Sequence, residues 1–328
     1  MTIQQNNNTN LRFSQVKLEP TLISDCLWAS LAAYGDYSKP EEPLKLPPGF
    51  KYIGRFTGFN KVLGIGSYEE RFGLILQSMS NPNVYLIAFR GTATISDGYE
   101  DIWVNTTQFI PYNHQKEFPK NVTVADGFNS IYSSDAGNME FSMQKQLFDK
   151  LANLPDPPQE IIVTGHSLGG ALASLFALDA AHNFGYDVEV KNITFASPRV
   201  GQKAWQYAYN KEYELELATY RIANYYDWVA SLPPSKLYFD YHHVGQQFLV
   251  SFYVKGWLSS YYISQRHSLK NYLTVLDYVL QNPQQIYVGE FPDAYYQDLT
   301  MESTIPPSPN IPSWVDLMNG KGQMPVFE

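Results

Sequence analysis

Residues 165–169 of this 328-residue chain read Gly-His-Ser-Leu-Gly, a serine with a glycine two positions away on each side. A serine hydroxyl is a weak nucleophile until a base takes its proton and donors await the oxyanion, so the spacing raises acyl-transfer chemistry and the question of partners. A serine on a strand-to-helix turn takes first its acid and then its histidine from later in the chain. Of the six histidines, His114 precedes Ser167, His166 adjoins it with a side chain expected to diverge, and His182 lies near the far end of the next helical run. His242, His243 and His267 remain. His267 stands just before a helical stretch, whereas His242 and His243 fall in "YFDYHHVGQQFLV", where a strand makes a structural role the better expectation. For the carboxylate, Asp227 directly follows the strand-like "TYRIANYY"; Asp240 is the serious rival, and Asp179 and Asp187 sit on or just after the serine's own helix, facing away.

These residues need a scaffold that delivers them to one edge. "EIIVTG" is a β-branched run, and "LGGALASLFALDAAHNF" after Ser167 is helical in composition, so the serine falls at a sharp strand-to-helix turn. Such a turn brings the residues two before and two after the serine into collision, and Gly165 and Gly169 occupy both places. The Lys-Ser/Thr of a phosphate loop is missing, and a GxGxxG dinucleotide turn does not match. Elsewhere "RFGLILQSM" and "VYLIAFRG" flank the turn "SNPN" as a hairpin. A long helix is expected over about 129–154, closed by "LPDPP", followed downstream by "VEVKNITFAS", the helical "KAWQYAYNKE", the strand "LATYRIAN" and the helix "SLKNYLTVLDYVLQ". Strands alternating with helices predict an α/β fold, a mostly parallel central sheet with helices on both faces.

A net charge of −9 without any Lys/Arg run argues against nucleic acid as a partner and against electrostatic adsorption to anionic membranes. Cys26 is the only cysteine, so no intrachain disulfide can form, and its helical apolar setting predicts a buried structural thiol. No transmembrane segment and no signal-peptide pattern are read, which makes the cytoplasm the default expectation, with non-classical secretion as the other route. The organisation expected is a disordered Asn/Gln-rich lead over 1–18, one α/β domain over 19–285 and a proline-containing extension over 286–328. With no HExxH, cysteine cluster or dinucleotide fingerprint, neither a metal nor an organic cofactor is implied.

Several stretches in one order, "AFRGT", "VTGHSLGGALASL", "TFASPRVG", "YRIANYYDWVASLPP" and "RHSLKNYL", resemble the fungal-type class 3 lipases, a family of the α/β-hydrolase superfamily, over about residues 22–281. The resemblance implies Ser167 as nucleophile, Asp227 as acid and His267 as base, with His243 a structural histidine. It also implies an oxyanion hole from Thr92, the residue after Phe-Arg-Gly, with the backbone N–H of Leu168. The implied function is hydrolysis of lipid esters, as by a triacylglycerol lipase, through an acyl-enzyme. A phospholipase, a short-chain or aromatic esterase, or a lipase-like signalling module without turnover are the alternatives. The sequence departs from the family pattern at Asp126, where a histidine is usual, in the long stretch Pro111 to Val124, and in the lack of disulfides.

Directly after Thr92, Ile95, Tyr99, Ile102 and Trp103 recur at i, i+4, i+7 and i+8, so a helix there has one apolar face. The pattern by itself favours an ordinary surface helix. The family resemblance implies instead an amphipathic lid that meets substrate or a lipid–water interface.

Overall fold

The computed structural model describes residues 13–60, 68–92, 105–135, 139–224, 227–235, 240–250, 253–254, 264–281 and 303–304. The first helix, α1 (Pro20–Ser38), begins with proline at its first turn, where the missing N–H costs nothing, and its last turn closes through Lys39 N–H donating to Gly35 O at 2.9 Å. Three strands follow: β1 (Phe50–Asn60), β2 (Tyr68–Ser78) and β3 (Val84–Phe89). The expected hairpin joins the last two. Asn81 makes its turn, its side chain accepting from Asn83 N–H at 3.1 Å and its carbonyl from Val84 N–H at 3.0 Å.

Two short strands, β4 (Thr106–Gln108) and β5 (Thr123–Ala125), precede α2 (Asp126–Ser133) and α3 (Met143–Ala152). The sequence expectation of one helix over 129–154 is therefore corrected to two. Ser134 turns extended, and Ser142 starts α3 afresh by accepting from Lys145 N–H at 3.2 Å. The intervening "SSDAGN" holds residues that compete with helical backbone bonds, which is why apolar spacing alone misled. The chain continues through β6 (Glu160–His166), α4 (Leu168–Phe184), β7 (Glu189–Phe195), β8 (Gly201–Gln202), α5 (Lys203–Tyr207), β9 (Thr219–Asn224), β10 (Tyr241–His242), β11 (Gln246–Val250), β12 (Tyr253–Val254), α6 (Leu269–Gln281) and β13 (Ser303–Thr304).

The main sheet runs β1-β2-β3-β6-β7-β9-β11. Its first two pairings are antiparallel and the remaining four parallel, so the expected mostly parallel sheet is present. A second sheet, β10-β8-β5-β4, is antiparallel. In the middle of the main sheet β6 alternates cleanly. Thr164 faces α1, its hydroxyl 3.4 Å from that of Ser30, while Gly165 faces α4. Because helices cover both faces, β3 reads "VYLIAF" without polar alternation, and each large side chain buried there contributes about 1.5–3 kcal/mol.

Within the lead expected over 1–18, residues 13–18 are described. Phe13 and Val16 are buried, and Val16 N–H donates to Leu217 O at 2.9 Å. Two apolar residues spaced three apart in a polar lead carried too little periodicity to announce this. Cys26 is fully buried and unpaired, and burial pushes its thiol well up. Of the expected extension 286–328 only β13 is described, paired antiparallel with β12.

Asp179 on α4 is fully buried. It accepts from Tyr112 N–H at 2.8 Å, the Tyr132 hydroxyl at 2.8 Å and the Gln144 amide at 2.7 Å. Burial outweighs these donors and pushes the carboxyl from its ordinary 3.8 up to about 6. Between those values the folded state holds a proton that the unfolded chain releases. This increment of stability is fully present below the unfolded value and is lost as pH rises through about 6. Urea unfolding of wild type and Asp179→Asn should therefore show a wild-type advantage that shrinks, by up to roughly 3 kcal/mol, from acid to neutral pH. A difference independent of pH rules the linkage out.

Candidate active site

Ser167 sits between β6 and α4 with φ 60° and ψ −129°, a combination that L-residues adopt only when their surroundings force it. Its N–H donates to Phe195 O on β7 at 2.9 Å, which ties the turn to the neighbouring strand. A Cβ at Gly165 would overlap the backbone of Gly169, and a Cβ at Gly169 would overlap Phe89 O, so both glycines are required by space. Ser167 thereby caps α4 in sequence position while its side chain is not spent on capping. Leu168, the first residue of α4, has a backbone N–H without an intrahelical acceptor, as at every helix start.

The end of β3 approaches the same turn. A Cβ on Gly91 would lie 3.0 Å from Ser167 Cβ, so the Gly91–Thr92 segment runs against the serine. Arg90 fixes that segment. Its buried guanidinium donates to Gly91 O at 2.8 Å and Arg71 O at 2.6 Å, pairs with Glu70 at 2.5 Å, and stacks 3.8 Å from the Tyr37 ring. The hydroxyl of Thr92 is buried and makes no hydrogen bond among the described residues.

Asp227 and His267 meet in the structure. His267 Nδ1 is 2.7 Å from Asp227 Oδ2, both side chains essentially without solvent access. A carboxylate only accepts, so Nδ1 carries the hydrogen in the neutral ring and Nε2 keeps its lone pair. Nε2 is buried and has no hydrogen-bond partner. Asp227 is held in turn: Oδ1 accepts from Val229 N–H at 3.1 Å, and Oδ2 accepts a second bond from the Tyr272 hydroxyl at 3.1 Å.

Three side chains that sequence reasoning passed over complete the arrangement. His166 does diverge from Ser167, and it reaches His267: Nε2–H donates to the His267 carbonyl at 2.7 Å, and the two rings lie 4.6 Å apart. Its Nδ1 then accepts from the Tyr34 hydroxyl at 2.9 Å. Burial first, and the neighbouring His267 second, hold the His166 imidazole well below its ordinary value, so it is neutral. Tyr272 accepts from Asn224 N–H at 2.6 Å while donating to Asp227. The one sequence signal for these was the position of Tyr272, five residues after His267 on the helix that follows.

The rival groups are accounted for elsewhere. Asp240 pairs with His242 at 2.8 Å near the surface, so the rejected acid and one rejected base bind each other. His182 bridges the Tyr213 hydroxyl at 2.6 Å and Asn113 O at 2.9 Å. His243 is kept neutral by burial and by nearby Arg221 and Arg199. Ile95, Tyr99, Ile102 and Trp103 lie outside the described residues. No group of metal-ligating side chains occurs among the described residues.

Residues 86–237, which contain Thr92, Ser167 and Asp227, match the family described as Lipase (class 3). Over this segment, a little under half of its length, the chain is similar to the class 3 lipases. Two curated relatives are phospholipase A(1) DAD1, chloroplastic, of Arabidopsis thaliana, and a secreted mono- and diacylglycerol lipase, MDL3, of Malassezia globosa. The first is 27% identical over 224 residues, covering 58% of this chain and 49% of its own length. The second is 29% identical over 186 residues, covering 55% of each. The chain thus spans about half the length of the curated relatives it matches. Among solved structures, lipase II from Rhizopus niveus superposes with a TM-score of 0.52 at 23% identity, covering 70% of this chain and 79% of that one. The chain has the α/β-hydrolase fold.

Tyr272→Phe deletes one donor to Asp227 and the acceptor of a buried N–H at Asn224. It should cost about 1–3 kcal/mol in denaturant unfolding. An unchanged midpoint shows that the network does not depend on this hydroxyl.

Proposed function

We propose that the protein is a serine hydrolase of carboxylic esters acting on lipid esters, in the manner of a triacylglycerol lipase. What carries this reading is His267: one ring nitrogen is bonded to a buried, three-donor carboxylate, and the other is left buried and unbonded next to the strained serine turn. Ser167 Oγ attacks the ester carbonyl as His267 Nε2 takes its proton, and Asp227 steadies the imidazolium that results. The Leu168 N–H, with the N–H and hydroxyl of Thr92, receives the tetrahedral oxyanion. His267 then passes its proton to the leaving alcohol. Water, deprotonated by the same nitrogen, attacks the acyl-enzyme and frees Ser167.

A phospholipase is the second reading, favoured by relatives that bear that name, such as phospholipase A1-II 6 of Oryza sativa, 29% identical over 186 residues. Among the described residues no helix is long and apolar enough to cross a membrane. We keep the cytoplasm as the place of action on the strength of one buried, unpaired cysteine, although relatives are named chloroplastic and secreted. Residues 19–285 are proposed as the hydrolase unit and 286–328 as an extension to it.

The test is a panel of p-nitrophenyl esters, triglyceride and phosphatidylcholine. Turnover should be abolished by a fluorophosphonate that labels Ser167 alone, and lowered about 10⁴-fold or more in Ser167→Ala. Labelling elsewhere, or an active alanine variant, overturns the proposal. The lid is proposed from the sequence for Ile95, Tyr99, Ile102 and Trp103. The rate on a sparingly soluble ester should then jump at its solubility limit, and the jump should shrink in Trp103→Ser. Smooth saturation in both makes the segment a static helix.

A further inference from the structure

On α1, Ser24, Trp28, Leu31, Ala32 and Gly35 recur at i, i+4, i+7, i+8 and i+11, which places them in one stripe. The opposite side of the helix faces the sheet, where Ser30 meets Thr164 and Cys26 is buried. The stripe lines a cavity of about 630 Å³, closed on its other sides by the 39–45 loop and by Lys270, Leu273 and Thr274 of α6. That volume lies within the range of about 300–1,000 Å³ typical of small-molecule sites. None of the residues that hold Ser167, Asp227 or His267 in place lines it.

Its chemistry is divided. Trp28, Leu31, Ala32, Leu44 and Leu273 make an apolar wall, and the two small residues, Ala32 and Gly35, leave the space open. Lys39, Lys45 and Lys270 line the same cavity, opposed by a single carboxylate, Glu42. Glu42 is already bonded to Lys39 at 2.8 Å. Lys45 and Lys270 have no carboxylate partner among the described residues, and both residues are exposed. In a chain of net charge −9, an apolar cavity carrying two unanswered ammonium groups runs against the overall sign. Lysine suits such a place because its aliphatic stem lies along apolar wall while its head stays at the water boundary.

We propose that this cavity binds a free long-chain carboxylate, with the hydrocarbon against Trp28, Leu31, Leu44 and Leu273 and the head between Lys45 and Lys270. The ligand is of the class released by the hydrolysis proposed above, and the inference rests on that reading for the ligand's origin only. The site is separate from the one in which an acyl group would be attached to Ser167. The walls of the cavity are nonetheless the two helices that supply Tyr34 and Tyr272 to the His166–His267–Asp227 network.

The experiment uses the full chain with Ser167 blocked by a fluorophosphonate, so that binding is read without turnover and a failure of catalysis stays distinct from a failure of binding. Laurate, kept below its micelle concentration, should change tryptophan fluorescence saturably, and the change should be lost in Trp28→Phe while calorimetry still reports binding. The double variant Lys45→Glu/Lys270→Glu should bind at least tenfold more weakly, as should dodecanol on the unmodified surface. The proposal is overturned if laurate gives no saturable signal, if dodecanol binds as tightly as laurate, or if binding appears only when Ser167 is left unblocked. Weakening by the charge reversals that added salt reproduces in the wild type supports the lysine contact.

Discussion

A non-glycine residue at φ 60° between a buried strand and a buried helix is the constraint on which the rest of the molecule depends. Holding Ser167 there costs on the order of 1–3 kcal/mol, and such strain persists only where the surroundings over-determine it. Here β6 is clamped between β3 and β7, α4 is buried along nearly its whole length, and the glycines on either side admit no Cβ. The strain sets a direction. The serine hydroxyl stands clear of the helix it begins, and the end of β3 can come against it.

The imidazole is held at two points with different chemistry. Asp227 grips the ring, and His166 grips the backbone of the same residue. The two supports differ in charge for a reason. A carboxylate can only accept from Nδ1, whereas burial keeps His166, whose ring lies 4.6 Å away, uncharged. The tautomer follows without further assumptions, because a carbonyl can only accept and Tyr34 is left to donate to the other nitrogen.

What was legible in the sequence was local. The serine turn, the carboxylate after a strand and the histidine before a helix each announce themselves within a dozen residues, and the described structure brings Asp227 and His267 together. Among His242, His243 and His267, the position just before a helix favoured His267, and the family resemblance pointed the same way. Features that depend on distant neighbours were not legible. Burial of Phe13 and Val16 depends on a partner near Leu217, and the break after Ser133 depends on Ser142 beginning a new helix. Arg90 was visible in "AFRGT" only as a letter; its hold on Gly91 comes from a fold that brings Glu70 and Arg71 alongside.

The bond from Tyr34 to His166 spans 132 positions, and the bond from His166 to the His267 carbonyl spans 101. Closing loops of that size is slow compared with forming the hairpin of β2 and β3 or the helix α4. The contacts that fasten His267 therefore form late relative to those local elements. Tyr34 lies on α1 and His267 just before α6, so the His166 link between them is completed only once both have been made. Two distant helices are thereby joined across a turn that is itself strained.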